Sequence, residues 1–329
     1  MKSLRILTFG TPENLQIQQV EKPVADSEHA VVQVFAAPIN PSDVKNAAGL
    51  MSQTTLPRTP GRDFAGVVVD GPAQWLGKEV WGSGGRFGFT HDGSHAEYLK
   101  VPLGGLSLKP VSLDFVAAAS VGVPFTIAWL GLVDYARASA GETVVVIGAS
   151  GSVGQAVCQL ARWRGCRVIG VVREAPSAAQ AACFDAWALS DQQLPARIRE
   201  MTCGNGADVV YDAVGGVMFA PALQCVAHRG RLIEISATGA VDVVFNLRDF
   251  YHNETQLFGA DSLKLDAGDT ARLLDRLAPL FDDGRLHSPG VQRIVSLDHA
   301  IEAYQQVASG KGGRQVIVPE RAQMYSAKN

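Results

Sequence analysis

The pattern of apolar and polar positions changes character twice along the 329 residues. From residue 1 to about 118 the apolar runs are short and strand-like, as in Ala30–Phe35, Gly66–Val69 and Ala96–Val101. Pro, Gly and Asn punctuate them, and helical periodicity is scarce. This predicts a compact β-rich domain over 1–118. Over 119–259 strands and helices alternate. The predicted strands are Thr143–Gly148, Arg167–Val172, Ala186–Leu189, Asp208–Tyr211, Arg231–Ser236 and Thr255–Gly259. Helices fall between them at Gln155–Trp163, Leu194–Met201 and Val217–Ala227. Alternation at this spacing predicts an α/β fold with a doubly wound parallel sheet and right-handed crossovers. The last stretch opens with an amphipathic helix, Ala267–Phe281, whose Leu273, Leu274, Leu277 and Leu280 share one stripe. Strand Val291–Leu297, helix Asp298–Ser309 and strand Gln315–Val318 follow. With the parallel sheet already complete, residues 260–329 are expected to return to the first domain.

Composition narrows the class. Hydrophobic residues make up 47% and charged residues 19%, as in ordinary globular chains. A net charge of −3 gives no general attraction to nucleic acid or to an anionic membrane. There is no apolar run of membrane-spanning length and no signal pattern at the opening Met-Lys-Ser, so a cytoplasmic protein is expected. The five cysteines, Cys158, Cys166, Cys183, Cys203 and Cys225, are odd in number and never spaced C-x-x-C. They read as reduced thiols rather than as a disulfide framework or a zinc knot.

The candidate chemistry is concentrated at Thr143–Gly154, T-V-V-V-I-G-A-S-G-S-V-G. An apolar strand runs into a turn with glycines at 148, 151 and 154, and a helix follows. A dinucleotide pyrophosphate needs this order. Gly148 allows the tight turn, Gly151 lets backbone approach the phosphates, and Gly154 lets the helix pack close to the strand. The helix N-terminus then aims amides and a positive dipole at the anion. Ser150, Gly151, Ser152, Val153 and Gly154 are the expected pyrophosphate contacts. An acidic residue at the end of the next strand would take the ribose hydroxyls of NAD. That place is Val172, followed by Arg173, whose guanidinium suits a 2′-phosphate. Ser177 adds a hydroxyl. Glu174 leaves a competing reading, either pairing with Arg173 or itself reaching a ribose. NADPH is the favoured cofactor. Ligands of such sheets bind at the carboxyl ends of the strands, so Ala213, Val214, Gly215, Ser236, Ala237, Thr238, Phe258 and Gly259 are further cofactor candidates.

Several co-linear motifs carry a family resemblance. They are A-P-I-N-P-S-D-V-K-N-A-A-G (Ala37–Gly49), T-P-G-R-D-F-A-G-V-V (Thr59–Val68), D-G-S-H-A-E-Y-L-K-V-P (Asp92–Pro102) and V-P-F-T-I-A-W-L-G-L (Val123–Leu132). The glycine turn, D-V-V-Y-D-A-V-G-G (Asp208–Gly216) and G-G-R-Q-V-I-V (Gly312–Val318) complete the set. Together they resemble the medium-chain dehydrogenase/reductase superfamily, in its zinc-independent quinone oxidoreductase and enoyl reductase branch. The resemblance implies a GroES-like β-rich catalytic domain, a Rossmann domain, a cleft between them, and homodimers joined through the last Rossmann strand. It implies hydride transfer from NADPH to a small electrophilic carbonyl compound or quinone. An enoyl thioester reductase and an NADPH-binding protein without catalysis are the alternatives.

Zinc-dependent relatives use a Cys and a G-H-E motif as ligands. Here the Cys place falls within N-P-S-D, near Ser42, and the G-H-E equivalent reads Gly61-Arg62-Asp63, so no metal is expected. His91 and His95, four apart around a Gly-Ser turn, read as exposed or hydrogen-bonded histidines in a hairpin. The resemblance points to Asn40 as a polar group near nicotinamide and substrate, and to Thr126 as a hydroxyl near the nicotinamide. Read from residue type alone, Asn40 is a turn former before Pro41, and Thr126 a helix hydroxyl bonded back to a carbonyl. The tyrosines of the quinone reductases and enoyl thioester reductases are replaced by Lys45 and Met51. Lys45 then stands as a proton donor or as a cation for an enolate oxygen, with water as the competing proton source.

Overall fold

The computed structural model describes residues 1–310 and 312–320. The chain divides into two compact units. One is Met1–Val123 with the segment from Ser262 onward, and the other is Pro124–Asp261.

The first unit opens with β1 (Lys2–Ile6) and β2 (Leu15–Gln19), an antiparallel ribbon. Next come β3 (His29–Ile39), α1 (Pro41–Ala47), β4 (Phe64–Asp70), β5 (Glu79–Gly82), β6 (Tyr98–Pro102), β7 (Ser107–Leu108) and α2 (Phe115–Ala119). Strand β3, H-A-V-V-Q-V-F-A-A-P-I, is apolar along nearly its whole length because it is covered on both sides. It pairs with β4 and β6. Residues 83–97 form an irregular loop rather than a hairpin, with one isolated bridge between Phe87 and His91.

Helix α3 (Gly122–Trp129) continues into a π-helical turn, Leu130–Tyr135. The second unit then winds through β8 (Thr143–Ile147), α4 (Ser152–Trp163), β9 (Arg167–Val172), α5 (Ala178–Ala181) and β10 (Ala186–Leu189). It ends with α6 (Leu194–Met201), β11 (Ala207–Asp212), α7 (Phe219–Cys225), β12 (Val226–Glu234), α8 (Leu247–His252) and β13 (Gln256–Gly259). The six strands are parallel in the order β10-β9-β8-β11-β12-β13. Central strands such as T-V-V-V-I carry no alternation because helices cover both faces. Tyr211 is fully buried, and its hydroxyl donates to Ile127 O at 2.7 Å.

One stretch departs from the pattern reading. Residues 217–227 are not one helix. Helix α7 stops at Cys225, Val226 turns extended (φ −71, ψ 134), and β12 begins there rather than at Arg231. The run Cys225-Val226-Ala227 has no turn residue to mark this change, so its apolarity suits helix and strand alike.

The chain returns to the first unit through α9 (Ala267–Asp282), β14 (Arg293–Val295), α10 (Ala300–Ala308) and β15 (Gln315–Ile317). Asp266 caps α9, its carboxylate accepting the Asp269 amide at 2.7 Å. Strand β15 pairs antiparallel with β3, completing a seven-stranded sheet ordered β14-β15-β3-β4-β5-β7, with β6 also on β3. Among the described residues no helix is long and apolar enough to cross a membrane, and no disulfide joins any of the five cysteines.

Candidate functional site

In the second unit the glycine turn is built as the spacing requires. Gly148 sits at φ +79, and its amide and that of Ala149 both donate to Val171 O at 3.1 Å. A Cβ on Gly154 would overlap Gly148 O, so only glycine lets α4 start this close to β8. Gly151 is different: it is exposed, and a Cβ there would meet only Gly148 O, at 3.3 Å. The ladder of α4 starts with Gln155 N donating to Gly151 O at 2.8 Å. The amides of Ser152, Val153 and Gly154 therefore have no acceptor within the helix, and the N-cap, Gly151, brings no side chain to cover them. Ser150 is exposed at the turn. Open space above an uncapped helix start fits a pyrophosphate.

The loops after β11 and β12 come together. Asp212 Oδ1 accepts from the amides of Val214 (2.8 Å) and Gly215 (2.9 Å). Thr238 N donates to Val214 O at 3.0 Å, and Val217 N to Thr238 O at 3.2 Å. Gly215 also bridges Ala237. The candidate segments Ala213–Gly215 and Ser236–Thr238 thus form one hydrogen-bonded rim at the carboxyl edge of the sheet. The pattern reading missed what anchors it. Asp212 lies directly across from Glu234 in the β11–β12 register. Asp212 Oδ2 and Glu234 Oε1 are both buried without partners. Burial raises both carboxyls, Glu234 to about 8 with the Asp212 charge adding to the effect.

Arg173 follows β9, is exposed, and forms no ion pair with Glu174 among the described residues. Ser177 caps α5: its hydroxyl oxygen accepts from Gln180 N at 3.3 Å, which leaves its hydrogen for another acceptor. Thr126 is 2% exposed, and its hydroxyl has no partner, so it is not the back-bonded helix threonine that its residue type suggests. Phe258 stacks on Tyr135 with centroids 6.2 Å apart, and Gly259 has no atom within 4 Å of a notional Cβ.

In the first unit Asn40 lies at the N-cap of α1 and is buried. Its amide nitrogen receives a cap from Asp43 Oδ2 at 2.8 Å. Its side chain is engaged at both ends, Nδ2 donating to Asp63 Oδ2 (2.9 Å) and Oδ1 accepting from Arg314 (3.4 Å). Asp63 Oδ1 accepts from Val123 N at 2.9 Å, and Arg314 lies 3.8 Å from Asp63. Asn40 is therefore one node of a buried network of Asp43, Asp63, Arg62 and Arg314. Burial pushes Asp43 up to about 7, with Asp63 adding and the Asn40 amide and two arginines opposing. Burial lowers Arg314 to about 10 against the pull of both aspartates. Lys45 is half-buried in the last turn of α1 and makes no ion pair among the described residues.

Arg62 and Asp63, which the sequence sets against a G-H-E motif, are both committed to hydrogen bonds. Arg62 donates to Ser262 O (3.2 Å), Ser262 Oγ (3.3 Å) and Gly84 O (3.4 Å). A guanidinium has no lone pair for a metal. Both oxygens of Asp63 are already engaged. Among the described residues no group of three His, Cys, Asp or Glu side chains could hold a metal ion. His95 is fully buried, bonded to Tyr304 OH (2.8 Å) and Pro38 O (3.2 Å). A carbonyl accepts only from N–H, so Nε2 carries the proton and Nδ1 accepts from the tyrosine. Burial lowers its pKa to about 4, which keeps it neutral. His91, by contrast, is exposed.

These raised carboxyls fix a pH dependence. In the folded protein Asp43 and Glu234 keep protons that the unfolded chain releases near pH ~4. Their contribution to stability is fully present below that pH and is lost as pH rises through about 7 and about 8. The urea midpoint should therefore fall between pH 5.5 and 8.5. Asp43→Asn and Glu234→Gln should each flatten that fall.

Two families match the two kinds of architecture. The alcohol dehydrogenase GroES-like domain matches residues 26–110, and zinc-binding dehydrogenase matches residues 152–278. A zinc-type alcohol dehydrogenase-like protein of Schizosaccharomyces pombe is 37% identical, covering 93% of this chain and 94% of its own. The chain belongs to the medium-chain dehydrogenase/reductase superfamily. Within it the similarity extends to quinone oxidoreductases. That of Pongo abelii is 28% identical over 97% of this chain and 98% of its own. The crystal structure of a Pseudomonas syringae quinone oxidoreductase has a TM-score of 0.83 at 26% identity, covering 97% of this chain and 99% of that one. This medium-chain dehydrogenase/reductase is thus an oxidoreductase of a pyridine-nucleotide family, with a GroES-like domain and a parallel Rossmann sheet.

Proposed function

We propose that this chain is an NADPH-dependent, zinc-independent oxidoreductase that transfers hydride to quinones or α,β-unsaturated carbonyl compounds. The observation that carries the reading is an open dinucleotide turn in a chain whose metal-ligand position is an arginine already hydrogen-bonded to Ser262 and Gly84. Metal-assisted alcohol oxidation needs a Lewis acid to polarise the oxygen. Reduction of a conjugated carbonyl asks less: the substrate must be held, its oxygen stabilised and a proton delivered.

The roles follow from the residues. Ser152, Val153 and Gly154 offer amides to the diphosphate. Arg173, with Ser177, takes the 2′-phosphate. The rim of Ala213–Gly215 and Ser236–Thr238, with Phe258 and Gly259, lines the rest of the nucleotide, and the unpaired Thr126 hydroxyl offers a bond at the nicotinamide end. When bound, the nicotinamide supplies a hydride. Lys45 supplies a cation for the oxygen that gains negative charge, or a proton. Asn40, held between Asp63 and Arg314, is assigned a positioning role. Replacement of both tyrosines by Lys45 and Met51 weighs against the enoyl thioester reading. We also assign a homodimer joined through the edge strand β13, where Leu257 is 43% exposed, and a cytoplasmic location.

Steady-state reduction of a small enone with each nicotinamide nucleotide tests this reading. NADPH should be preferred. Arg173→Ala should raise the KM for NADPH by about tenfold or more, the worth of a lost charge-assisted bond, and leave NADH nearly unchanged. Strong NADH preference in the unaltered protein would overturn the assignment.

A further inference from the structure

A second cavity lies wholly within the first unit, with a volume of about 920 Å³. It is large enough for a small organic molecule, and none of the residues assigned above to cofactor or substrate lines it. Its chemistry is set by one corner. Asp92 Oδ2 accepts from Arg5 Nη1 at 3.0 Å, and Oδ1 accepts from Arg58 Nη1 at 3.1 Å and from the Thr59 amide at 2.9 Å. One carboxylate thus fixes two guanidinium groups and leaves a positive charge uncompensated. Arg5 is held further by Thr59 Oγ1 (2.9 Å), while its buried Nε has no acceptor. Arg58 is held by Thr55 O (3.0 Å) and Oγ1 (2.7 Å). Arg86 lines the same cavity, is exposed, and has no ion pair among the described residues.

We propose that this cavity binds an organic acid, its anionic group held by Arg5, Arg58 and Arg86 and its apolar body lying against Phe87, Ala96 and Leu99. The two pinned arginines are already oriented before anything binds, so little side-chain entropy is lost on binding. His91, on the same wall, reports the local field. Its protonation is lowered by burial and then by Arg86, Arg58 and His29, with Asp92 alone pulling the other way. With Arg5, Arg58 and Arg86 set against Asp92, this corner carries an excess of positive charge in a chain whose net charge is −3.

The probe is 8-anilinonaphthalene-1-sulfonate, followed by its fluorescence with and without saturating NADPH. Its control is N-phenyl-1-naphthylamine, the same ring system without the anion. Saturable binding of the sulfonate is expected, with the same affinity in both conditions. Arg86→Gln should weaken it at least tenfold and Arg86→Glu should abolish it. Because Arg86 is exposed and unpaired, both variants should keep the melting temperature of the parent. The neutral amine should bind at least tenfold more weakly and be insensitive to Arg86. The sulfonate should also raise the pKa of His91, read by NMR. Equal binding of the neutral amine, displacement of the sulfonate by NADPH, or unchanged binding in Arg86→Glu would each overturn the proposal.

Discussion

Gly151→Val is expected to raise the dissociation constant for NADPH by about 100-fold, roughly 2.7 kcal/mol, while leaving the fold nearly as stable as before. The backbone of Gly151 (φ −75, ψ 164) is extended, which valine adopts without strain. A Cβ there meets only Gly148 O at 3.3 Å, so the folded chain has to yield by a few tenths of an ångström. The isopropyl group would stand above the uncapped amides of Ser152, Val153 and Gly154, the proposed approach of the diphosphate. Gly154 offers no such separation of effects, because a Cβ there would overlap Gly148 O and disturb the turn itself. Calorimetric titration with NADPH beside thermal melting checks the prediction. Unchanged affinity in a well-folded Gly151→Val protein would mean that the phosphates lie elsewhere.

Arg314→Met is expected to cost about 3–5 kcal/mol of stability, the range for breaking a buried ion pair from one side. Asp63 is fully buried; it would lose the Arg314 guanidinium 3.8 Å away and keep its bonds from Asn40 Nδ2 and Val123 N. Asn40 Oδ1 would also lose its donor. Urea unfolding gives the measurement. Adding Asp63→Asn to Arg314→Met should recover part of the loss, since the uncompensated charge goes with it. If the double variant were as unstable as the sum of the single ones, the two charges would not be acting on each other.

The sheet of the second unit was legible because its central strands carry unbroken apolar runs, such as Val144–Ile147 and Val168–Val172, and its helices are punctuated. Arg167–Val172 and Ala186–Leu189 appear with the bounds that their sequences suggest. The start of β12 at Val226 was not legible, since nothing in Cys225-Val226-Ala227 distinguishes a helix end from a strand start. The turn at Gly148–Gly154 was legible from glycine spacing set between an apolar strand and a helix. That Gly151 is open and Gly154 closed is a property of packing. The buried network of the first unit was hidden by distance: Arg314 and Asn40 are 274 positions apart. An arginine entering the apolar Gln315–Ile317 strand was the available signal. Glu234 left a similar trace, an acid closing the strand segment R-L-I-E. Asp212 looked like part of a motif, and only the β11–β12 register shows that the two carboxyls face each other. His95 reads like His91 in sequence, yet burial against Tyr304 separates their roles.

A family named for zinc binding covers residues 152–278, yet in the first unit Gly61-Arg62-Asp63 stands where the resemblance leads one to expect a G-H-E motif. The difference is chemical, because a guanidinium donates where a ligand must accept. That difference supports the proposed substrate, a carbon already electrophilic, over an alcohol.

The most direct measurement of that central point follows the hydride itself. The protein would turn over a small enone with NADPH deuterated at C4 of the nicotinamide, and the product would be examined by NMR. The account predicts a saturated ketone carrying deuterium on the carbon β to the carbonyl. Deuterium on a carbinol carbon, with the alkene intact, would contradict it and make the protein a carbonyl reductase.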